Sequence, residues 1–386
     1  MTPTASSMMI TILLAAISLL VWVYLAAARG GFWDATERDD AGPSPKAWPS
    51  VIAVIPARDE ADGIGQTVRS LLLQDYPGSF SIILVDDESS DGTAAVAERA
   101  AADAGGSARL TIIPGVARPS GWTGKLWAMS QGVAHAEQAA PEFLLHTDAD
   151  IVYQPDLLSR VVSKALHEGL VLSSLMAKLR CESLPERALI PAFIFFFQML
   201  YPFSWVSDRG RRTAAAAGGC MLVRRDALLA AGGFEVIRGS IIDDCALARI
   251  LKRRGPIRLA LSERVASIRS YSTIGEIRRM VVRSAYAQLE YSLLLLAFAV
   301  AGLTLVYVAP VLAAIFGHGA TRMCGLLAWA IMVVVYLPTL RFYRLTPLWA
   351  PLLPAIALVY TLFTLDSAYQ SLRGRGGLWK GRVQGR

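Results

Sequence analysis

The sequence is poor in cysteine, in histidine and in the short signatures of several large enzyme classes. Its four cysteines are scattered without a CxxC pair, and its four histidines show no metal-ligand spacing. This pattern argues against a zinc site or a disulfide framework and fits a reducing compartment. No Walker loop, GxSxG or HExxH motif is present, which disfavours the P-loop, α/β-hydrolase and zinc-protease mechanisms.

Dense basic blocks are also missing. Lys and Arg outnumber Asp and Glu by 38 to 31, but no run of basic residues is interleaved with aromatic ones. We therefore expect no nucleic-acid partner. The basic excess is expected to face anionic lipid or a phosphate-bearing substrate.

Apolar residues, in contrast, are abundant and concentrated at the two ends of the sequence. A hydrophobic content of 54% and a mean hydropathy of +0.43 are too high for an ordinary soluble enzyme. Residues 1–30 contain one long apolar run without a basic start, which favours a retained membrane anchor over a cleaved signal peptide. Residues 31–49 are polar and acidic with Gly and Pro, and they predict a linker.

Residues 286–370 contain three more apolar segments, and a basic tail follows at 371–386. The segments at 292–316, 326–340 and 348–365 predict C-terminal membrane helices, although the second is short for a span. If these segments and the amino-terminal anchor all cross the membrane, the basic tail lies on the other side of the membrane from the central domain. This position conflicts with the positive-inside rule. A re-entrant segment or a short hairpin would remove the conflict, and the sequence leaves that choice open.

Residues 50–285 alternate between short apolar runs and helical patterns. Strands are predicted at 51–55, 81–85, 110–113 and 143–147. Repeated βα units of this length predict an α/β domain with a mostly parallel sheet flanked by helices. The aromatic run near 185–205 predicts either a helix lying in the membrane interface or a buried core helix.

Acidic residues cluster where two of these strands end. Asp86 and Asp87 follow the second strand, with Asp91 in the same turn, and Asp148 and Asp150 follow the fourth. Ligands of such sheets bind beyond the carboxyl ends of the strands. Carboxylates gathered there indicate a bound cation or a cationic ligand.

Asp148 and Asp150 are separated by one residue. If the chain stays extended, both side chains fall on one face and can hold one hard cation, Mg²⁺ or Mn²⁺. Such an ion, bound by few protein oxygens, keeps positions open for a diphosphate. The alternative is a strand-end turn with solvated acids.

The turn after the second strand is placed to bind a nucleotide. Its aspartates are suited to accept hydrogen bonds from a base or ribose. Arg58 follows the first strand and is expected near the same crevice. Its alternative role is an ion pair with Asp59 or Glu60.

Asp243 and Asp244 enter an amphipathic helix. Adjacent like charges raise the pKa of one member, which suits a general base. The alternative is an acid pair stabilised by the helix dipole. The small-residue run at 214–219 either admits a substrate close to the backbone or marks tight packing. His146, in an apolar strand, is interpreted as a core histidine.

Together these motifs resemble family 2 glycosyltransferases of the GT-A fold. The resemblance is carried, in the family's order, by segments 54–60, 86–93, 124–128, 148–150 and 243–244. It implies a nucleotide-sugar donor, with a UDP-sugar the first choice, and a divalent metal. It implies donor binding by Arg58, Glu60, Asp86, Asp87, Asp91, Lys125 and Asp148, metal binding by Asp148 and Asp150, and catalysis by Asp244 with Asp243.

The chain departs from the family pattern at two points. Asp243 stands where the family often has Glu. Of the Gln/Arg-x-x-Arg-Trp motif that often ends the domain in the membrane-bound branch, only Arg283 is kept. The missing tryptophan disfavours a processive polysaccharide synthase, in which it helps to hold the acceptor end.

A narrower resemblance is to the hopene-associated glycosyltransferases of bacterial hopanoid gene clusters. It is carried by segments 189–202, 213–221 and 242–249, and it implies a hopanoid or a similar isoprenoid lipid as acceptor. We therefore expect an inverting, metal-dependent transferase in the bacterial inner membrane, multi-pass, with a cytoplasmic catalytic domain. The alternatives are a processive synthase, a catalytically silent membrane binding module and a nucleotidyltransferase.

Overall fold

The computed structural model describes residues 5–376 together with the backbone of 378–379 and 382–383. The chain divides into two compact units. The helical unit comprises Met1–Thr36, Cys181–Ser204 and Tyr271–Gly376, and the sheet unit comprises Glu37–Arg180, Trp205–Ser270 and Gly377–Arg386. Of the predicted basic tail, 371–386, residues 377, 380–381 and 384–386 lie outside the described residues.

The elements are numbered in chain order. The helices are α1 Ala5–Ala28, α2 Ala61–Leu72, α3 Thr93–Asp103, α4 Gly124–Ala136, α5 Leu157–Glu168, α6 Leu184–Leu200, α7 Phe203–Ser207, α8 Arg225–Ala230, α9 Asp243–Leu251, α10 Ile274–Val282, α11 Leu293–Leu303, α12 Ala309–Phe316, α13 Gly319–Phe342 and α14 Leu353–Leu372. The strands of the large sheet are β1 Val51–Ala57, β2 Phe80–Asp86, β3 Leu110–Pro114, β4 Phe143–His146, β5 Ile151–Tyr153, β6 Leu172–Lys178, β7 Met221–Arg224 and β8 Ile257–Ser267.

The sheet unit is built on one eight-stranded sheet in the order β3-β2-β1-β4-β7-β6-β8-β5. Four of its seven strand pairs are parallel, which confirms the predicted α/β class with a mostly parallel sheet. The antiparallel pairs are β4 with β7, β6 with β7, and β5 with β8. All four predicted strands are present. Every residue of β1 is buried because the strand is covered on both faces.

The register brings the predicted site segments to one edge of the sheet. In β1 and β2, Ala57 lies opposite Asp86, while Val54 of β1 lies opposite His146, the last residue of β4. The loops that follow these three strands therefore leave the sheet side by side. This is the edge where open α/β sheets bind ligands.

The predicted linker at 31–49 is partly packed on the sheet unit. Glu37 accepts a backbone hydrogen bond from Leu261 at 2.9 Å. Asp40 is 2.7 Å from both Lys164 and Arg258. The middle of this segment is thus held by a backbone hydrogen bond and ion pairs and is not a free connector.

Among its described residues, the helical unit holds four helical segments long and apolar enough to cross a membrane. They are Met8–Ala28, Leu293–Phe316, Gly319–Phe342 and Pro347–Leu372. The expectation of a short second C-terminal segment at 326–340 is wrong, because α13 has 24 residues. Its terminal turns incorporate Arg322 and Arg341, which the apolar run excluded.

Helix α6 accounts for the aromatic run near 185–205. Ser183 and Glu186 form a capping box at its start, and Pro191 lies within it. Phe195 is fully buried against Tyr336 of α13, with ring centroids 5.2 Å apart. These contacts favour the core-helix interpretation within the helical unit. The interfacial position stays a prediction.

Candidate active site

Two interlocked loops follow β1 and β2. A guanidinium nitrogen of Arg58 donates to the backbone oxygen of Asp87 at 2.6 Å and lies 3.4 Å from its carboxylate. The carboxylate of Asp59 accepts from the backbone N–H of Ser90 at 2.8 Å. Asp59 and Glu88 have φ angles of 49° and 57°, in the left-handed region that non-glycine residues rarely adopt. Backbone strain of this kind collects at functional sites.

The aspartates of this turn mainly hold its backbone. Asp86 accepts from the N–H of Ser89 at 3.1 Å, and Asp91 accepts from the N–H of Thr93 at 3.0 Å. Asp87 is 1% exposed. A nucleotide contact by any of the three therefore stays a prediction, and the structure gives each of them a bond within the loops.

Lys125, in the first turn of α4, lies between the two acidic motifs that the sequence singles out. Its ammonium is 2.8 Å from Asp148 Oδ1 and 3.2 Å from Asp243 Oδ2. Burial lowers the pKa of Lys125, but Asp148 and then Asp243 outweigh it, and the net shift is upward. The ammonium therefore stays charged and joins the end of β4 to the start of α9. We call Lys125, Asp148, Asp243 and Asp244 the lysine cluster.

Asp244 completes the lysine cluster at the amino end of α9. Its Oδ1 accepts from the N–H of Cys245 at 2.7 Å, and its Oδ2 accepts from the N–H of Gly218 at 3.1 Å. Burial, followed by the charge of Asp243, raises the pKa of Asp244 to about 6, although Lys125 lowers it. Such a carboxylate is ionised at neutral pH and is a stronger proton acceptor than an ordinary aspartate.

The small-residue run at 214–219 lies directly against the lysine cluster. A Cβ placed on Gly218 would stand 3.2 Å from Lys125 Nζ, 3.7 Å from Asp244 Oδ2 and 3.8 Å from Asp148 Oδ2. The backbone at Gly218 thus passes close to the lysine cluster, and an added Cβ would require Lys125 Nζ to shift by a few tenths of an ångström. This close approach favours a small residue at this position.

The predicted metal motif turns instead of running straight. The backbone forms a turn at Ala149 and Asp150. Asp148 faces Lys125, whereas Asp150 Oδ2 accepts from Arg269 Nε at 2.9 Å. The expectation that an extended chain places both carboxylates on one face is therefore wrong. The turn directs Asp148 toward Lys125 and Asp150 toward Arg269.

Binding of one hard divalent cation by both carboxylates would require them to turn away from Lys125 and Arg269. Within the described residues, no group of three or more His, Cys, Asp or Glu side chains forms a metal cluster. An ion held by Asp148 and Asp150 alone would take its other oxygen ligands from water and a diphosphate, as Mg²⁺ commonly does. The two side chains are 35% and 15% exposed, so a ligand can reach them from solvent. The metal assignment stays a prediction.

Arg269 is a residue of this site that sequence reasoning misses. It bridges two of the predicted site residues, since its Nε contacts Asp150 and another guanidinium nitrogen is 2.9 Å from Glu60 Oε1. Arg269 follows β8, and the antiparallel pairing of Ser267 with Ile151 brings it to the metal motif. No local sequence pattern marks it, so only the strand pairing reveals its place.

His146 has the environment of a core histidine. It is fully buried and its ring centroid is 5.1 Å from that of Phe234. Burial, together with the Lys125 charge, lowers the pKa of His146 to about 3, so the ring is neutral. A neutral, buried ring beside the lysine cluster agrees with a core position for His146, but among the described residues neither ring nitrogen has a hydrogen-bond partner, so the histidine is not a satisfied one.

The chain is similar to known glycosyltransferases, which agrees with the geometry of the site. The family described as glycosyltransferase like family 2 matches residues 49–287. An N-acetylglucosaminyltransferase of Mesorhizobium japonicum is 28% identical over 198 residues, 48% of this chain and 42% of the relative. A 4,4'-diaponeurosporenoate glycosyltransferase of Staphylococcus aureus is 27% identical over 205 residues, 51% of this chain and 50% of the relative. The matched part of this chain thus spans half or less of these curated relatives.

One solved structure resembles the chain over most of its length. It is a mannosyltransferase from Pyrobaculum calidifontis in complex with GDP-Man and Mn²⁺. The TM-score is 0.51 at 19% identity, covering 93% of this chain and 99% of that one. At this identity the likeness shows the fold alone. The mixed sheet, with its acids at the carboxyl ends of the strands, defines a GT-A-type glycosyltransferase fold.

The family match extends over more than half of the chain and includes the lysine cluster. The chain therefore belongs to glycosyltransferase-like family 2. This confirms the family that the motifs indicate.

Proposed function

We propose that the protein transfers a sugar from a nucleotide-diphosphate donor to a hydroxyl group of a membrane lipid, with inversion at the anomeric carbon. The observation that carries the proposal is the lysine cluster. It places a carboxylate with a pKa of about 6 beside an ammonium group and the predicted metal motif. A base, a cation and a metal site together are what such a displacement requires.

The donor would be bound by the loops after β1 and β2 and by Lys125. Arg58 is held in these loops by the backbone oxygen of Asp87, and its side chain is 15% exposed. Asp148 and Asp150 would hold Mg²⁺ or Mn²⁺, and the ion would neutralise charge on the leaving diphosphate. We take a UDP-sugar as the first donor to test, on the family resemblance of the sequence.

Asp244 would act as the general base. Its carboxylate takes the proton of the acceptor hydroxyl while the oxygen attacks the anomeric carbon. The bond from that carbon to the diphosphate breaks on the opposite face, and the nucleoside diphosphate leaves with the electron pair. Asp243 would act through Lys125, 3.2 Å away, by fixing the ammonium against the metal motif.

A lipid acceptor is supported by the composition of the chain. In the part of the chain that the structure describes, four helical segments are long and apolar enough to span a membrane. One curated relative is named a 4,4'-diaponeurosporenoate glycosyltransferase. The resemblance of segments 189–202, 213–221 and 242–249 to hopene-associated glycosyltransferases implies an isoprenoid lipid. We therefore propose a hopanoid or a related isoprenoid lipid as acceptor, and an inner-membrane protein whose catalytic domain faces the cytoplasm.

The test uses membranes that contain the full chain and radiolabelled nucleotide sugars, with hopanoid-containing lipid added. We expect label in the organic phase, lost with EDTA and lost in Asp244→Asn. Asp226→Asn is a matched control, because Asp226 also opens a helix and accepts from the next N–H, at 2.6 Å. It should retain activity.

Each other outcome contradicts part of the proposal. Label in a long water-soluble polymer would favour a processive synthase. Release of pyrophosphate without lipid label would favour a nucleotidyltransferase. No transfer with any donor, from a folded protein, would favour a binding module.

A further inference from the structure

Helices α13 and α14 run in the same direction, although they are consecutive apolar segments of the helical unit. Trp329 of α13 donates its indole N–H to the backbone oxygen of Pro351, just before α14, at 3.1 Å. Further along both helices, Tyr336 packs on Phe195 and Tyr360 packs on Phe196, each with centroids 5.2 Å apart. Phe195 and Phe196 are neighbours in α6. A later residue of α13 is thus matched by a later residue of the segment that leads into and along α14. The two helices are therefore parallel.

Two consecutive helices that both cross a membrane run in opposite directions. Because α13 and α14 are parallel, the segment that connects them must return along α13 before α14 begins. The connection from α13 to α14 is residues 343–352, which includes the 3₁₀ segment Pro347–Leu352. It starts at the end of α13 and reaches Trp329, a residue in the middle of that helix. The connection therefore runs beside α13 at the same depth.

The composition of this connection suits membrane depth. Backbone groups there need partners within the protein. Pro347 and Pro351 have no N–H to satisfy. The N–H of Leu345 donates to Leu340 at 2.9 Å, and that of Leu348 donates to the Thr346 hydroxyl at 3.4 Å. The segment thus carries few unpaired donors.

An independent set of contacts locates the end of α14. Asp366 is 2.7 Å from Arg278 of α10, and the Ser367 hydroxyl donates to the backbone oxygen of Val282 at 2.6 Å. Ala368 packs with Leu296, at the start of α11. The end of α14 therefore lies at the start of α11.

The end of α13 lies on that same side. Helices α12 and α13 form a tight antiparallel hairpin through the turn at His318. A Cβ on Gly325 would stand 2.5 Å from the backbone nitrogen of Ala314 and 2.6 Å from the backbone oxygen of Pro310. Since the α11–α12 segment leads away from its start and α13 leads back over a similar length, α13 ends on the same side as the start of α11 and the end of α14.

We propose that α1, α11–α12 and α13 cross the membrane and that residues 343–372 form a re-entrant hairpin, so that both ends of this hairpin lie on one side. Arginines are gathered on this side. They are Arg278, Arg279, Arg283, Arg341, Arg344, Arg373 and Arg375. The opposite turn at His318 has Arg322 as its nearest basic residue. This arrangement satisfies the positive-inside rule, which four full crossings violate.

Cysteine labelling tests the proposal on the full chain, after the four native cysteines are changed to serine. Single substitutions His318→Cys, Arg341→Cys and Arg375→Cys all fall at exposed positions. With a membrane-impermeant maleimide on spheroplasts, we expect His318→Cys to label without lysis. Arg341→Cys and Arg375→Cys should label only after lysis.

Labelling of Arg375→Cys without lysis, with Arg341→Cys still protected, would overturn the proposal in favour of four crossings. A reporter fused after Arg386 gives an answer that does not depend on the cysteine changes. We expect a fluorescent GFP fusion and an inactive alkaline phosphatase fusion, and the reverse result would also overturn the hairpin. Both readouts are independent of transferase activity, so a failure of the proposed function would not be mistaken for a failure here.

Discussion

Replacing Lys125 by methionine removes the positive charge at the centre of the lysine cluster while keeping much of the side-chain volume. The ammonium counters three carboxylates, two of which are 2.8 and 3.2 Å away. It also lowers the pKa of Asp244 against the effects of burial and Asp243. The variant should therefore raise the pKa of the proposed base.

The size of this shift follows from the geometry. Lys125 Nζ and Asp244 Oδ2 lie 3.2 and 3.7 Å from one point, the site of a Gly218 Cβ, so they are at most about 7 Å apart. At an effective dielectric constant of about 20, two unit charges at that distance interact by about 2 kcal/mol. This corresponds to about 1.5 pKa units. The pKa of Asp244 would rise from about 6 to about 7.5.

The assay is the pH dependence of kcat/KM, since kcat/KM reports the ionising groups of the free enzyme, for which these pKa values hold. A general base works when ionised, so activity falls as the pH drops through its pKa. At pH 6.5 the variant should lose about eightfold through protonation alone, and this part of the loss should vanish by about pH 9.

Lys164→Met is the matched control. Lys164 also pairs with two acids, Asp40 at 2.7 Å and Glu168 at 2.9 Å, and its side chain is 13% exposed against 20% for Lys125. Its pH profile should match that of the unaltered protein. An acid limb that stays near pH 6 in Lys125→Met would refute the electrostatic account of Asp244.

Two further variants test the surroundings of the lysine cluster. Arg269→Gln frees a carboxylate of the metal motif from its ion pair and should tighten Mn²⁺ binding, measured by electron paramagnetic resonance without donor, by about tenfold. Arg264→Gln, with the same 38% exposure and two acid partners, should leave it unchanged, and equal affinities in both variants would contradict the reasoning. Gly218→Ala places a methyl group 3.2 Å from Lys125 Nζ, which must shift by a few tenths of an ångström, and should lower kcat by up to about tenfold, about 1.4 kcal/mol. Gly302→Ala, where nothing lies within 4 Å, should leave kcat unchanged, and an unaffected Gly218→Ala would refute the close-approach argument.

The predicted strands and acidic motifs depend on short-range patterns, and for this reason the sequence reveals them. β2 and β4 are apolar runs that stop at aspartates, so Asp86 and Asp148 could be placed at a strand end without knowledge of the rest of the chain. The proximity of Lys125 to Asp243 could not be predicted in this way. It joins α4 to α9, which are far apart in the sequence, and no local pattern indicates it.

Positions that depend on pairing between distant segments could not be predicted from the sequence. Arg269 reaches Asp150 only because β8 pairs antiparallel with β5, a strand of three residues. The turn at Asp150 likewise depends on contacts made beyond the motif itself. Hydropathy marked the apolar segments but gave neither the full length of α13 nor the direction of α14, because polar helix ends and side-chain contacts decide those features.

The central claim is that Asp244 takes the acceptor proton in a single displacement at the anomeric carbon. Its most direct test is the anomeric configuration of the purified lipid product, read from the coupling constant of the anomeric proton by NMR. A donor with an α-linked sugar should give a β-linked product. An α-linked product would show retention and would contradict a single displacement by this base.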